Sequence, residues 1–441
     1  MMRSTLLLFL LPAALVAAEP TAAERGRKAL LEVSYLPPAW KQSAYANVWK
    51  SWEATPEKPA DYSAAIRDHY GLHPAPYPND GLPMGLRHST FLFVKGVSID
   101  CMLCHGGSIM GTSYVGLGNA SLEIQSLFED LSGSEGKPGK TPFRFGNVRG
   151  TSEAGGMSVY LLGYRNPDLS IRTPRVNLGL HDDLCEDVPA WWLLKKKKTM
   201  YYTGGADARS VRSKMQFMMT PVTTRSEFDK HEAAFKDIDA YIRTIEAPKY
   251  PLAINRDLAA QGGELFAKHC ASCHGTYGDK PTYPNKIIPI DEIGTDRKRY
   301  DGITSEFADY YDKTWFAKET GDGYKSLPSK GYQAPPLDGI WATAPYFHNG
   351  SVPSVAMVLN SKLRPEIFTR LYNTGEEDYD PKNLGWKVTT LKQGANPKHT
   401  AIERRKIYDT REPGRGNSGH TFGDDLTDDE RAAVIEYLKT L

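Results

Sequence analysis

Across 441 residues there are only five cysteines, and 54 lysines and arginines against 53 aspartates and glutamates leave a formal charge of +1. A near-neutral charge argues against a nucleic-acid surface. Long apolar runs are also scarce. The one at residues 6–16 follows a short basic start, Met1-Met2-Arg3-Ser4, and ends in the small residues Val16-Ala17-Ala18. It falls short of the ~20 residues that cross a bilayer and has the layout of an export signal, expected over residues 1–18, with Thr21-Ala22-Ala23 as an alternative cut. The expectation is a bacterial periplasmic protein with no membrane span once that signal is removed. Glycine (39) and proline (30) are plentiful, so long ordered loops are expected around any prosthetic group.

The few cysteines are not scattered. Four of them form Cys101-Met102-Leu103-Cys104-His105 and Cys270-Ala271-Ser272-Cys273-His274, each followed by glycine. Two thiols two residues apart can add to the two vinyl groups of one porphyrin, and the next residue, histidine, can then reach the iron as proximal ligand. A single copy could be a redox dithiol or half a zinc site. Two copies predict two covalently bound haem c groups, with Cys101, Cys104, Cys270 and Cys273 as attachment points and His105 and His274 as iron ligands. Covalent haem attachment takes place outside the cytoplasm, in agreement with the export signal. Cys185 is left over and reads as a small buried hydrophobe or as a reactive or dimer-forming thiol.

Along the chain, the first segment is aromatic (Trp40, Trp49, Trp52), then rich in turn formers over residues 70–86 on the approach to Cys101. Phe235, Ile238, Tyr241, Ile242 and Ile245 form one helical stripe, ended by Ala247-Pro248-Lys249-Tyr250-Pro251. That places a domain boundary near residue 250. Leu258, Gly262, Leu265 and Phe266 line a helix running into Cys270. Thr427-Asp428-Asp429-Glu430 is a capping box for a last helix with Ala433, Val434, Tyr437, Leu438 and Leu441 on its apolar face. The ending Tyr241-Ile242-Arg243-Thr244-Ile245 matches Tyr437-Leu438-Lys439-Thr440-Leu441 and suggests an internal duplication. The expected fold is mainly α: two tandem cytochrome c-like haem domains with long ordered loops, over residues 24–250 and 251–441.

The far side of each iron separates a catalyst from a wire, because only an open position binds oxygen or peroxide. For the first haem, Met110, His69, His73, His88 and His181 offer no convincing sixth ligand. Pro189-Ala190-Trp191-Trp192 leads into four lysines, Lys195, Lys196, Lys197 and Lys198, which read as a solvated face or a docking patch for an acidic redox partner.

Together the two attachment motifs, Ala344-Pro345-Tyr346-Phe347-His348-Asn349-Gly350-Ser351-Val352-Pro353, Gly419-His420-Thr421-Phe422-Gly423, Asn147-Val148-Arg149-Gly150 and Pro189-Ala190-Trp191-Trp192 resemble the bacterial dihaem cytochrome c peroxidase superfamily. Within it they resemble the rubber-oxygenase branch, and more distantly the dihaem enzyme of methylamine utilisation. The resemblance implies an oxidoreductase in which the first haem meets peroxide or dioxygen while the second stores an electron, exchanged with a small redox protein. It implies His420 as sixth ligand of the second iron, with Met357 and His348 as rivals, and Trp192 or its neighbour Trp191 as the relay between the haems. A calcium ion between the domains is common in such enzymes, but no Ca²⁺ loop pattern assigns one here. The peroxidase glutamine and glutamate beside the peroxide-binding face are not placed in this sequence, and the rubber oxygenases are considerably longer. A pure electron carrier, with both irons closed, and a haem-based sensor are the alternatives.

Overall fold

The computed structural model describes residues 18–53, 55–137, 139–320 and 323–441, so most of the expected export signal lies outside the described residues. Two helix pairs organise it. Ala22–Glu32 packs along Arg225–Ile242, and Arg256–His269 packs along Asp428–Leu438. Both crossings are made close by a glycine: a Cβ on Gly26 would lie 1.8 Å from the Asp237 carbonyl oxygen, and one on Gly262 1.9 Å from that of Ala433. Asp237 and Ala433 stand at the same place in the two matching endings, four residues before Tyr241 and Tyr437. Phe235, Ile238 and Ile242 are buried on one helix and Ala433, Val434 and Leu438 on another, but Tyr241 and Tyr437 are only half-buried, and Ile245 and Leu441, expected on the same stripes, lie beyond the helix ends. The capping box at Thr427 is formed: the Glu430 amide donates to the threonine hydroxyl and the Thr427 amide to the Glu430 carboxylate.

The expectation of a mainly α chain of two tandem cytochrome c-like domains is not met. Helix accounts for 36% and strand for 12%, with several small sheets, so the fold is mixed α/β. The stretch before the first motif is antiparallel sheet, with Val94–Ile99 between Trp40–Lys41 and Leu86–Phe91. The glycines after His105 build a second hairpin, Gly106–Ile109 with Thr112–Val115. The first hairpin escapes a reading based on turn formers because its two-residue turn is Leu92-Phe93, with φ of 45° and 69°. Such a turn ordinarily takes asparagine or glycine, which tolerate the left-handed conformation. This sheet positions the first motif. Arg87, buried on Leu86–Phe91, donates to the carbonyls of Leu30 and Leu31 and pairs with Asp100, whose other oxygen accepts the Met102 amide at 2.8 Å. Both motifs then close as four-residue helices, Met102–His105 and Ala271–His274. No helix among the described residues is long and apolar enough to cross a membrane.

Two outcomes test this architecture. Gly262→Leu forces a side chain into the Ala433 backbone and should lower stability by about 1–3 kcal/mol in urea unfolding, whereas Gly133→Ala, whose methyl meets nothing within 4 Å, should leave the midpoint unchanged or slightly raised. Replacing Leu92-Phe93 by Asn-Gly should raise stability by about 1 kcal/mol, because it relieves two left-handed side chains.

Candidate functional site

The second motif opens onto a cavity of about 400 Å³. Cys270, Cys273 and His274 stand on one side and His420 on the other, with Phe266, Phe347, Val358 and Leu438 among the apolar walls. The ring centroids of His274 and His420 are 6.2 Å apart. An imidazole nitrogen sits roughly 2 Å from a bound metal, and adding a ring radius on each side gives a centroid separation of about 6 Å. A metal centred between these rings therefore fits. His274 Nδ1 faces the Pro335 carbonyl at 2.8 Å, which leaves Nε2 as the nitrogen available to a metal. His420 Nδ1 is buried without a partner. Burial pushes the pKa of both imidazoles down, to about 4 for His420, where His274 adds to the effect. Both are neutral near pH 7, as metal ligation requires.

Phe347 and Phe422 flank His420, with centroids 5.9 and 5.2 Å from its ring. Met357 is half-buried beside the same apolar cluster and is not among the cavity walls, whereas His420 is. His348 does line the cavity, but it is engaged elsewhere. Its ring stacks on Tyr332 at 4.1 Å, and its Nε2 lies 3.2 Å from the Tyr332 hydroxyl, which donates to the Asp296 carbonyl. Burial holds His348 neutral, its pKa down at about 3. Beside it, Tyr202 donates to Asp187 at 3.2 Å, and burial pushes the Asp187 carboxyl well above the usual carboxylate range. This polar corner of Asp187, Tyr202, Tyr332 and His348 carried no sequence signal beyond His348, because its members come from segments far apart in the chain.

At the first motif, the Cys101 side chain is solvent-exposed, while burial, then Asp100, pushes its thiol up to about 12. Cys104 is likewise pushed to about 12, by burial and then Glu186. A redox dithiol needs a lowered thiol pKa, so this setting argues against that alternative. Among the described residues no three or more His, Cys, Asp or Glu side chains converge as a metal-ion ligand set. Burial pushes the His105 pKa down to about 4, offset in part by the nearby Pro189 carbonyl, and its Nδ1 is buried without a hydrogen-bond partner, unlike that of His274. Its ring stacks on Trp191, with centroids 4.6 Å apart and planes 25° from parallel.

The remaining histidines weighed for the first iron have other surroundings. His73 is buried against the Asn119 side-chain oxygen at 3.1 Å, His69 stacks on Trp52 at 4.3 Å, and His88 is exposed on the hairpin. Met110 forms the left-handed turn of the second hairpin with Gly111.

One strap, residues 187–196, joins both sites. Trp191 meets His105, and its amide donates to the Gly116 carbonyl at 2.7 Å, while the Gly116 amide donates to that of His105 at 2.8 Å. Trp192, only 1% exposed, points the other way and donates from Nε1 to the Asp338 carbonyl, in the wall of the second cavity, at 2.8 Å. The tandem tryptophans are thus divided between the sites. Trp191, rather than Trp192, touches a motif residue. Cys185 is fully buried against Thr151, Asn349 and Tyr408, in keeping with a small buried side chain.

Comparison with known proteins agrees with a haem site in the second half. A family described as RoxA-like, cytochrome c-like matches residues 331–369, which carry Pro335, His348 and Met357. Two relatives come from Sinorhizobium fredii (strain NBRC 101917 / NGR234). The uncharacterized protein y4iJ is 29% identical over 45% of this chain and 41% of its own length, and the uncharacterized protein y4iM is 26% identical over 58% and 64%. The chain therefore spans less than two thirds of either relative. The family match relates this chain to RoxA-like cytochromes c and fits a c-type cytochrome oxidoreductase that binds haem c.

Proposed function

We propose that this chain is a periplasmic dihaem c-type cytochrome oxidoreductase with two unlike haem sites, one closed by two histidines and one open to a small oxidant. The observation that carries the reading is the asymmetry of the imidazoles: His274 faces His420 at 6.2 Å, whereas the recorded neighbour of the His105 ring is Trp191. Cys101, Cys104, Cys270 and Cys273 would attach the two haems and His105, His274 and His420 would hold their irons, and the bound groups would supply one-electron chemistry toward peroxide or dioxygen. The Pro335 carbonyl faces the Nδ1 side of the second proximal ring and sets its tautomer. Trp191, stacked on the first proximal ring, and Trp192, bonded to the wall of the second cavity, are neighbours in the chain and are assigned as the relay. A small redox protein exchanges electrons with this pair of sites.

The purified protein should carry two haems, and on reduction carbon monoxide should bind one of them, with a high-spin ferric signal from the same site in electron paramagnetic resonance. Failure of any exogenous ligand to bind would make the chain an electron carrier, and a methionine-to-iron band in the near infrared would transfer the sixth position to Met357. His420→Ala should open the second haem to carbon monoxide as well. Trp191→Leu should slow electron transfer between the haems by about tenfold or more, a barrier change of about 1.4 kcal/mol, measured by flash photolysis; an unchanged rate would reduce Trp191 to a packing residue.

A further inference from the structure

His420 stands on a loop without regular structure, and two consecutive residues there are left-handed, Gly419 at φ 74° and His420 at 45°. Glycine adopts that conformation freely, but histidine does so only when its surroundings hold it. One hold is the backbone bond from the His420 amide to the Ile293 carbonyl at 2.8 Å, with Gly419 pressed so close to Gly294 that an added Cβ would lie 2.2 Å from its carbonyl carbon. The other is Arg364. Its Nε donates to the Met357 carbonyl at 2.9 Å, Nη1 to those of Asn417 and Gly419 at 2.7 Å each, and Nη2 to those of Val358 and His420 at 3.3 and 3.2 Å.

A guanidinium has five N–H groups in one rigid plane, and here five carbonyls receive them. Three of those carbonyls belong to the His420 loop and two to the helix Val355–Leu359. The same guanidinium lies over the Phe347 ring at 5.0 Å, and Phe347 in turn flanks His420. Backbone and ring of the distal histidine are therefore both set by one side chain that does not itself line the cavity.

We infer that Arg364 is the positioning residue that locks His420 onto the second iron, so that this site stays closed to small ligands. The inference rests on the proposed ligation by His420 and adds what enforces it. A lysine keeps the charge and much of the stem but offers three donors from a single point, so it cannot bridge five carbonyls in a plane. The locking role thus depends on the fork and not on the charge.

The test uses the full haem-loaded protein as wild type, R364K, R364M and the benchmark H420A. Axial ligation is read by near-infrared and electron paramagnetic resonance spectra, carbon monoxide uptake by titration of the reduced protein, and folding by circular dichroism. The expected result is that R364K and R364M keep two attached haems and wild-type dichroism, lose the bis-imidazole signature, and double their carbon monoxide uptake as H420A does. R364K decides the matter if R364M fails to accumulate. A folded R364K with the wild-type ligation spectrum and unchanged uptake overturns the inference. Absence of a bis-imidazole signature in the wild type would instead overturn the ligation by His420 itself, so the two failures are distinguishable.

Discussion

The stacking of Trp191 on His105, together with the bond from Trp192 to Asp338, is the constraint on which the two sites depend. Adjacent residues on a short 3-10 helix, Trp191–Lys196, cannot move independently, so each site is referenced to the other. The strap is itself pinned on both sides. The Asp187 amide donates to the His348 carbonyl at 2.8 Å, and Gly118 approaches Val188 so closely that an added Cβ would lie 1.9 Å from its carbonyl oxygen. A glycine is required at that contact by space alone. The two rings also belong to different apolar clusters: Trp192 lies within one with Trp341 and Trp386, and Trp191 packs against another with Phe228 and Phe235. Burial on both sides fixes the strap without a covalent link to either motif.

Desolvation explains the electrostatics of the sites. His105, His274 and His420 are held neutral by burial, and the thiols of Cys101, Cys104 and Cys270 are pushed up rather than down. These directions suit ligands and attachment points for an apolar, flat group and oppose thiolate chemistry. The polar corner at Asp187, Tyr202, Tyr332 and His348 is the exception inside the second cavity, and it is internally paired. Its hydrogen bonds hold the His348 ring against Tyr332, which is why a histidine in the cavity wall need not be an iron ligand.

Local signals read well where the physics was local. The stripe ending at Ile242, the capping box at Thr427 and the helix running into Cys270 all depend on neighbours three or four residues away, and all are present. The mainly α expectation failed over residues 86–99 and 106–115, where strand pairing gives no such short-range mark. The hairpin around Leu92-Phe93 lacks the usual turn residues, and the glycines after His105 read as loop when they in fact form strand and turn.

The sequence by itself set the expectation of haem attachment, because two cysteines and a histidine in five consecutive residues place two thiols and an imidazole on one turn of chain. It also named His420, through resemblance rather than spacing. Only the tertiary structure decided which histidine faces His274, which tryptophan meets His105, and that His348 is turned to Tyr332. Those choices join segments more than fifty residues apart or compete for one cavity. They are settled by how helix pairs, hairpins and the strap pack against one another, and no local pattern of residues encodes that.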